Sequence, residues 1–285
     1  MKLTTPVEIK ALSKRFESNV KIAAIGSCFA DEIGELLIES GFDVSLNPFG
    51  VLYNPASIAA AVERLTSGKK FLASDVIFSK PLGRYNSFSH HTSFSRPSAE
   101  EFLDNANAVL DQAGNAFRQA DICLITLGTA WVFRNIASGQ IVANCNKVAG
   151  NEFTRERLSV EAVISLLSNM VSEHSQKQWI FTVSPIRHFA DGANGNAVSK
   201  ATLLLAIDNI VSHFPNAHYF PAFEIIMDEL RDYRFYSEDM THPSSQALEY
   251  IFSKFVEYAF SKAAIIKVDA ARNAYRQGQH HQIFK

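Results

Sequence analysis

Short unbroken apolar runs alternate along this chain with longer stretches in which apolar residues recur at helical spacing. The runs fall at residues 22–25, 43–46, 122–127, 141–144, 179–183 and 218–221. Runs of that length, bounded by turn residues, read as strands buried on both faces. The periodic stretches read as amphipathic helices. They cover 29–40, 58–66 (opened by Pro55-Ala56-Ser57), 98–120, 154 to about 175, 198–214 and 244–264. Gly41 is a stop signal for the first of them. Ser98-Ala99-Glu100-Glu101 is a capping-box pattern, and Thr154-Arg155-Glu156-Arg157 opens the fourth helix. Strands alternating with helices predict a mainly parallel sheet covered on both faces, an α/β fold. Right-handed crossovers then gather the loops that follow the strands along one edge.

Residues 1–264 read as a single domain, since no repeat or low-complexity linker divides them. Within it, 67–95 is less regular. It carries Arg84, Tyr85, Asn86, Ser87, His90 and His91, and reads either as an inserted active-site loop or as a plain surface loop. Residues 265–285 form a polar C-terminal tail: a packed arm, an oligomer contact or a disordered end.

Composition narrows the function classes. The 285 residues are 47% hydrophobic and 20% charged, ordinary globular values. A net charge of −2 gives no basis for nucleic acid or an anionic membrane as partner. Cys28, Cys123 and Cys145 are odd in number and lack metal-ligand spacing, so free thiols and no metal are expected. The opening residues Met1-Lys2-Leu3-Thr4-Thr5-Pro6 lead into polar sequence without an apolar signal core. No run approaches the length of a membrane span. The expectation is a soluble cytoplasmic protein whose oligomeric state the sequence leaves open.

Candidate chemistry begins at Gly26-Ser27-Cys28, where the first apolar run gives way to the first helix. A serine there stands at the carboxyl edge of the sheet, where open α/β sheets bind ligands. The helix N-terminus beside it offers free N–H groups and partial positive charge, which suit a nucleophile whose reaction generates an oxyanion. The same residue type is also a common helix N-cap. Cys28 is a second conceivable nucleophile, since a helix start lowers thiol pKa. Phosphate binding at this turn lacks the glycine patterns of nucleotide sites. Far along the chain stands Asp239-Met240-Thr241-His242-Pro243-Ser244, just ahead of a predicted helix. The dipole there favours neutral imidazole, the form a general base needs. Asp239 is spaced to bond the other ring nitrogen of His242, which makes Ser27, Asp239 and His242 a candidate catalytic triad. A capping Asp and a surface His is the alternative. Arg187 and His188 follow the 179–183 strand and are expected at the same edge. There, Arg187 either binds a substrate carboxylate or phosphate or pairs with an acidic neighbour.

Several segments together resemble the GSCFA family, within the SGNH (GDSL-like) hydrolase superfamily. They are Gly26-Ser27-Cys28-Phe29-Ala30, the stretch Asn47-Pro48-Phe49-Gly50-Val51-Leu52-Tyr53-Asn54-Pro55, Thr126-Leu127-Gly128-Thr129-Ala130-Trp131, Thr182-Val183-Ser184-Pro185-Ile186-Arg187-His188, and the charged run from Asp228 to Tyr236. The resemblance covers most of the chain. It implies a flavodoxin-like three-layer α/β/α fold and ester or acyl chemistry without a cofactor. It implies Ser27 as nucleophile, His242 as base and Asp239 as its orienting partner. The backbone N–H groups of Ser27 and Gly50 would form the oxyanion hole. A third donor, an Asn in a Gly-x-Asn segment, is replaced here by Ala130 after Gly128-Thr129. Asn47, Asn54, Asn86, Arg84 and His90 are the possible replacements. Asn47, Asn54, Asn86, His90, Gly128, Thr129, Arg187 and His188 are the expected substrate-binding residues. The implied substrate is a small-molecule or glycoconjugate acyl ester, such as an O-acetyl sugar. The alternative is a ligand-binding module that has lost turnover along with the oxyanion Asn.

Overall fold

Ile22 and Ala24 point to one face of the first strand and Ala23 and Ile25 to the other, and all four are buried. That period-two alternation is what a strand covered on both sides requires. The computed structural model describes residues 4–283. The elements run β1 (Lys21–Gly26), α1 (Cys28–Glu39), β2 (Asp43–Leu46), α2 (Pro55–Ser67), β3 (Ile77–Ser79), β4 (Arg84–Asn86) and α3 (Ala99–Gln119). Next come β5 (Ile122–Leu127), β6 (Trp131–Asn135), β7 (Ile141–Val142), β8 (Phe153–Arg157), α4 (Val160–Glu173) and β9 (Gln178–Val183). The chain ends with α5 (Gly192–His213), β10 (Ala217–Tyr219), the short α6 (Ala222–Glu224), α7 (Ser245–Ala259) and α8 (Lys262–Ile283).

Five strands form a wholly parallel central sheet in the order β10-β9-β5-β1-β2. Ile22 lies between Val44 and Ile122, and Leu124 lies between Ala24 and Ile180. Helices α2 to α5 cover one face, with Ile58, Phe102, Leu167 and Leu203 packed against Ala23, Ile125 and Phe181. Helices α1, α6, α7 and α8 cover the other, where Ile33, Ala222, Phe255 and Val268 join Ile22, Leu124 and Ile180. This is a three-layer α/β/α fold with the flavodoxin-like strand order. The chain leaves β1 toward β2 on one side and returns to β5 on the other. The crevice between the carboxyl ends of β1 and β5 is therefore the topological switch point, where such sheets bind ligands.

The elements differ from the sequence pattern in four places. Residues 154–157 are a strand, not a helix start: β8 pairs with β6, and β6 with β7, in a three-stranded antiparallel sheet inserted after β5. Helix α4 starts instead at Val160, because the Ser159 hydroxyl accepts from Ala162 N at 3.1 Å. The apolar run at 141–144 contributes only the two residues of β7. The helix expected at 198–214 begins six residues earlier, at Gly192, so Ser199 and Lys200 lie in its interior. The helix expected at 244–264 breaks. Phe260 bridges Phe16, and Ser261 Oγ accepts from Ala264 N, opening α8, which takes up most of the expected tail. Residues 284 and 285 of that tail lie outside the described residues. Segment 67–95 holds the β3–β4 hairpin and two short helical turns. Among the described residues no helix is long and apolar enough to cross a membrane.

Gly26 closes β1 where backbones crowd. A Cβ there would lie 2.2 Å from the Thr126 carbonyl oxygen on the neighbouring strand. That oxygen cannot retreat without breaking the β1–β5 pairing. Gly26→Ala is expected to lower stability by about 1–3 kcal/mol, read as a lower urea midpoint with an unchanged slope.

Candidate active site

Ser27 occupies the turn from β1 into α1, at the switch point. It is the N-cap residue of α1, yet its hydroxyl makes no capping bond. It is only 1% exposed, and its Oγ has no hydrogen-bond partner among the described residues, His242 included. A buried hydroxyl left unpaired costs about 1–3 kcal/mol, so a capping role does not account for this serine. Gly128 packs behind it: a Cβ on Gly128 would lie 3.4 Å from Ser27 Cβ.

His242 reaches the same edge from a looped segment ahead of α7. Ser237 N donates to His242 O at 2.8 Å, and Arg187 N donates to Thr241 O at 3.2 Å, tying this loop to the one after β9. Within it, Asp239 Oδ1 accepts from Thr241 N at 2.8 Å and from His242 N at 2.9 Å. Asp239 Oδ2 lies 2.5 Å from His242 Nδ1. The N–H groups of His242 and Thr241, then the imidazole, hold the Asp239 carboxyl well below the usual carboxylate range. The three-residue spacing thus makes the carboxylate both a turn-builder and the partner of Nδ1, which leaves Nε2 for chemistry.

Ser27 and His242 line one cavity of about 650 Å³, well within the range of small-molecule sites. Of the residues expected to bind substrate, Asn54, Thr129, Arg187 and His188 line it as well. Asn54 Oδ1 caps α2 through Ser57 N at 2.9 Å, so its Nδ2 is the atom left to donate. His188 is half-buried, with an unpartnered Nε2. Burial, then the charge of Lys200, pushes its imidazole down to about 4.

The other expected residues fall elsewhere. Asn47 does not line the cavity; it braces the β1 turn, accepting from Gly26 N at 2.8 Å and donating to Asp31 at 2.6 Å. Gly50 N donates to Asn47 O at 2.8 Å, and Ser27 N donates to Thr126 O at 3.2 Å, so both expected oxyanion N–H groups are engaged by carbonyls. Asn86 is fully buried and donates to Ser95 and Asn146. His90 is buried among Phe49, Phe71, Phe94 and Phe102, with its imidazole pushed down to about 3 by burial. Arg84 stands exposed on the β3–β4 hairpin. Ala130 is 0% exposed, and its N–H is taken by Ser199 Oγ at 2.8 Å. Cys28 lines the cavity, but burial raises its thiol pKa, outweighing both the helix start and its contact with Tyr53 OH.

Some residues of the site were not legible in the chain. The inserted sheet supplies a wall with Trp131, Phe133 and Arg155, and Arg155 pairs with Asp191. Glu32 of α1 has a buried, unpartnered Oε2, and burial pushes its carboxyl up to about 7 against the pull of His242. From its place downstream of Arg187 and His188, Lys200 reads either as a residue shaping the pocket or, by preference, as one on an exposed helix face. It is 2% exposed, and its Nζ donates to Gly128 O and Ser184 O, both at 2.7 Å. It ties together the chain just after β5 and β9, directly behind the cavity. Among the described residues, no group of three or more His, Cys, Asp or Glu is placed to hold a metal ion.

No curated protein matches the chain. The sequence model of the GSCFA family does, over residues 21–255. That span starts with β1, includes Ser27, Asp239 and His242, and ends inside α7. With about four fifths of its length in that match, the chain belongs to the GSCFA family.

Proposed function

We propose that this protein is a serine-dependent esterase or acyltransferase of the SGNH type, acting on an O-acyl substrate through an acyl-enzyme. The observation that carries the proposal is the buried, unpartnered Ser27 Oγ in a cavity it shares with His242, whose Nδ1 is held by Asp239. In this reading Ser27 Oγ attacks the acyl carbonyl while its proton passes to His242 Nε2. The departing alcohol takes that proton as the C–O bond breaks. Water or an acceptor alcohol, deprotonated by His242, then releases the acyl group. The oxyanion is stabilised by N–H groups at the start of α1 and by Asn54 Nδ2. An O-acetyl sugar or glycoconjugate is the substrate class that the resemblance suggests.

One specific observation favours a second reading, a ligand-binding module without turnover. The N–H groups of Ser27 and Gly50 both donate to backbone carbonyls, and Ala130 offers no third donor. Intact mass after incubation with a fluorophosphonate separates the two readings. The acyl-transfer reading predicts one adduct, mapped to Ser27, on the wild type and none on His242→Ala. A folded wild-type protein that acquires no adduct sinks it and leaves the binding module.

A further inference from the structure

Arg187 carries the most conspicuous unanswered charge near the nucleophile. Its side chain lines the cavity of Ser27. Among the described residues it forms no ion pair. Among the described residues its Nε is buried without a partner, and its one side-chain contact to an acceptor is Nη1 to the sulfur of Met227 at 3.8 Å. A thioether is a weak acceptor. The guanidinium carbon lies 5.0 Å from the Phe189 ring centroid, which steadies the plane of the fork without supplying a counter-charge. Removing donors of a cation from water without replacing their hydrogen bonds is costly. The group that answers a planar fork of donors is an oxyanion bound through two oxygens.

The rest of the wall points the same way. Lys147, Arg155 and Arg187 line the cavity against one carboxylate, Asp191, which is already paired with Arg155. His188 adds a second unpartnered buried nitrogen, Nε2, next to Arg187 in the chain. Arg187 is also fixed relative to the candidate base by the bond from its backbone N–H to Thr241 O. A neutral acyl ester would leave these donors unanswered.

We propose that Arg187 forms an anion-binding subsite in the Ser27 cavity, so that the substrate is an ester bearing a carboxylate or phosphate group as well as the scissile acyl bond. The subsite stands on the geometry of Arg187. Its use in choosing a substrate rests on the acyl-transfer reading.

Calorimetric titration of the wild type with succinate and with inorganic phosphate tests the subsite without requiring turnover. At least one anion is expected to bind, at least tenfold more weakly to Arg187→Gln and equally well to Arg234→Gln, a change at an exposed arginine outside the cavity. Binding of succinate alone assigns the carboxylate, and binding of phosphate alone the phosphate ester. No binding of either anion, or equal binding to Arg187→Gln, overturns the proposal. A measurement on the unaltered protein covers the case in which that variant fails to fold. Phenylglyoxal modification of Arg187, mapped by peptide mass, is expected to be blocked by the anion that binds; an unprotected Arg187 also overturns the subsite. Turnover of 4-nitrophenyl hemisuccinate against 4-nitrophenyl acetate then tests its use. The anionic ester is expected to have the higher kcat/KM by at least tenfold, a preference lost in Arg187→Gln; equal values overturn the selectivity. Anion binding at Arg187 with neither ester turned over leaves the subsite standing and removes the acyl-transfer reading.

Discussion

Turnover of an acyl ester falls by about 10⁴ at pH 7 when Asp239 is replaced by asparagine, an effect reached through the tautomer of His242. Asp239 Oδ1 accepts two backbone N–H groups, those of Thr241 and His242, while Oδ2 faces His242 Nδ1. Only an oxygen can serve the two N–H groups, so the substituted side chain keeps its amide carbonyl there and turns its amide nitrogen, a donor, toward Nδ1. Nδ1 must then accept, which moves the ring proton to Nε2, the atom that has to take the proton of Ser27. The imidazolium formed during attack also loses its carboxylate partner. Both losses fall on the transition state, so kcat and kcat/KM should drop together. The wild-type carboxylate is held well below its usual range, first by the N–H of His242 and then by that of Thr241. It therefore stays ionised at pH 7, where the two proteins are compared. The loop bonds survive in the variant, so circular dichroism should be unchanged. A loss below tenfold would remove Asp239 from the proposed machinery.

Lys200→Met is expected to change the pH dependence of stability. Between pH 7 and pH 9 the wild type should gain about 2 kcal/mol relative to the variant. Burial, followed by the charge of Arg187, pushes the Lys200 ammonium down from its ordinary 10.5 to about 7. Below about pH 7 the amine is protonated in both folded and unfolded chains, and the folded state bears the whole cost of the buried cation, on the order of 5 kcal/mol. Between about 7 and 10.5 the unfolded chain binds more protons, so rising pH favours the fold. Above 10.5 that cost is gone. The neutral amine has two N–H donors, the number needed for Gly128 O and Ser184 O. Their loss in the variant costs about 1 kcal/mol each at every pH. Only the titrating part changes with pH, and urea unfolding of both proteins at pH 7, 8 and 9 isolates it. A constant difference across that range would mean that Lys200 does not titrate there.

The parallel sheet, the helices that carry clear caps and the position of Ser27 were legible because each rests on local pattern. Ile22 to Ile25 is a continuous apolar run of strand length. Ser98 caps α3 through Glu101 N at 3.1 Å, as its spacing predicts. Asp239 and His242 meet because three residues of chain suffice to fold one onto the other. Residues 154–157 misled because a hydroxyl followed by charges imitates a helix start. Their partner strand, β6, lies some twenty residues away, and a better cap, Ser159, stands just beyond.

By itself, then, the sequence determined the five strands of the central sheet and the helices that alternate with them, the serine at the end of β1 and the Asp239–His242 pair, all set by periodicity, caps and short-range reach. Tertiary structure decided the rest, because burial and hydrogen-bond partners come from residues far apart in the chain. It sent Asn47, Asn86 and His90 into supporting positions and left Asn54 at the cavity. It occupied the N–H groups of Ser27 and Gly50 with carbonyls of Thr126 and Asn47. It buried Lys200 between two carbonyls, where desolvation rather than its position on a helix sets its charge. It also set Arg187 in the wall of the cavity with no carboxylate among the described residues to answer it, a feature that only packing around a distant serine could create.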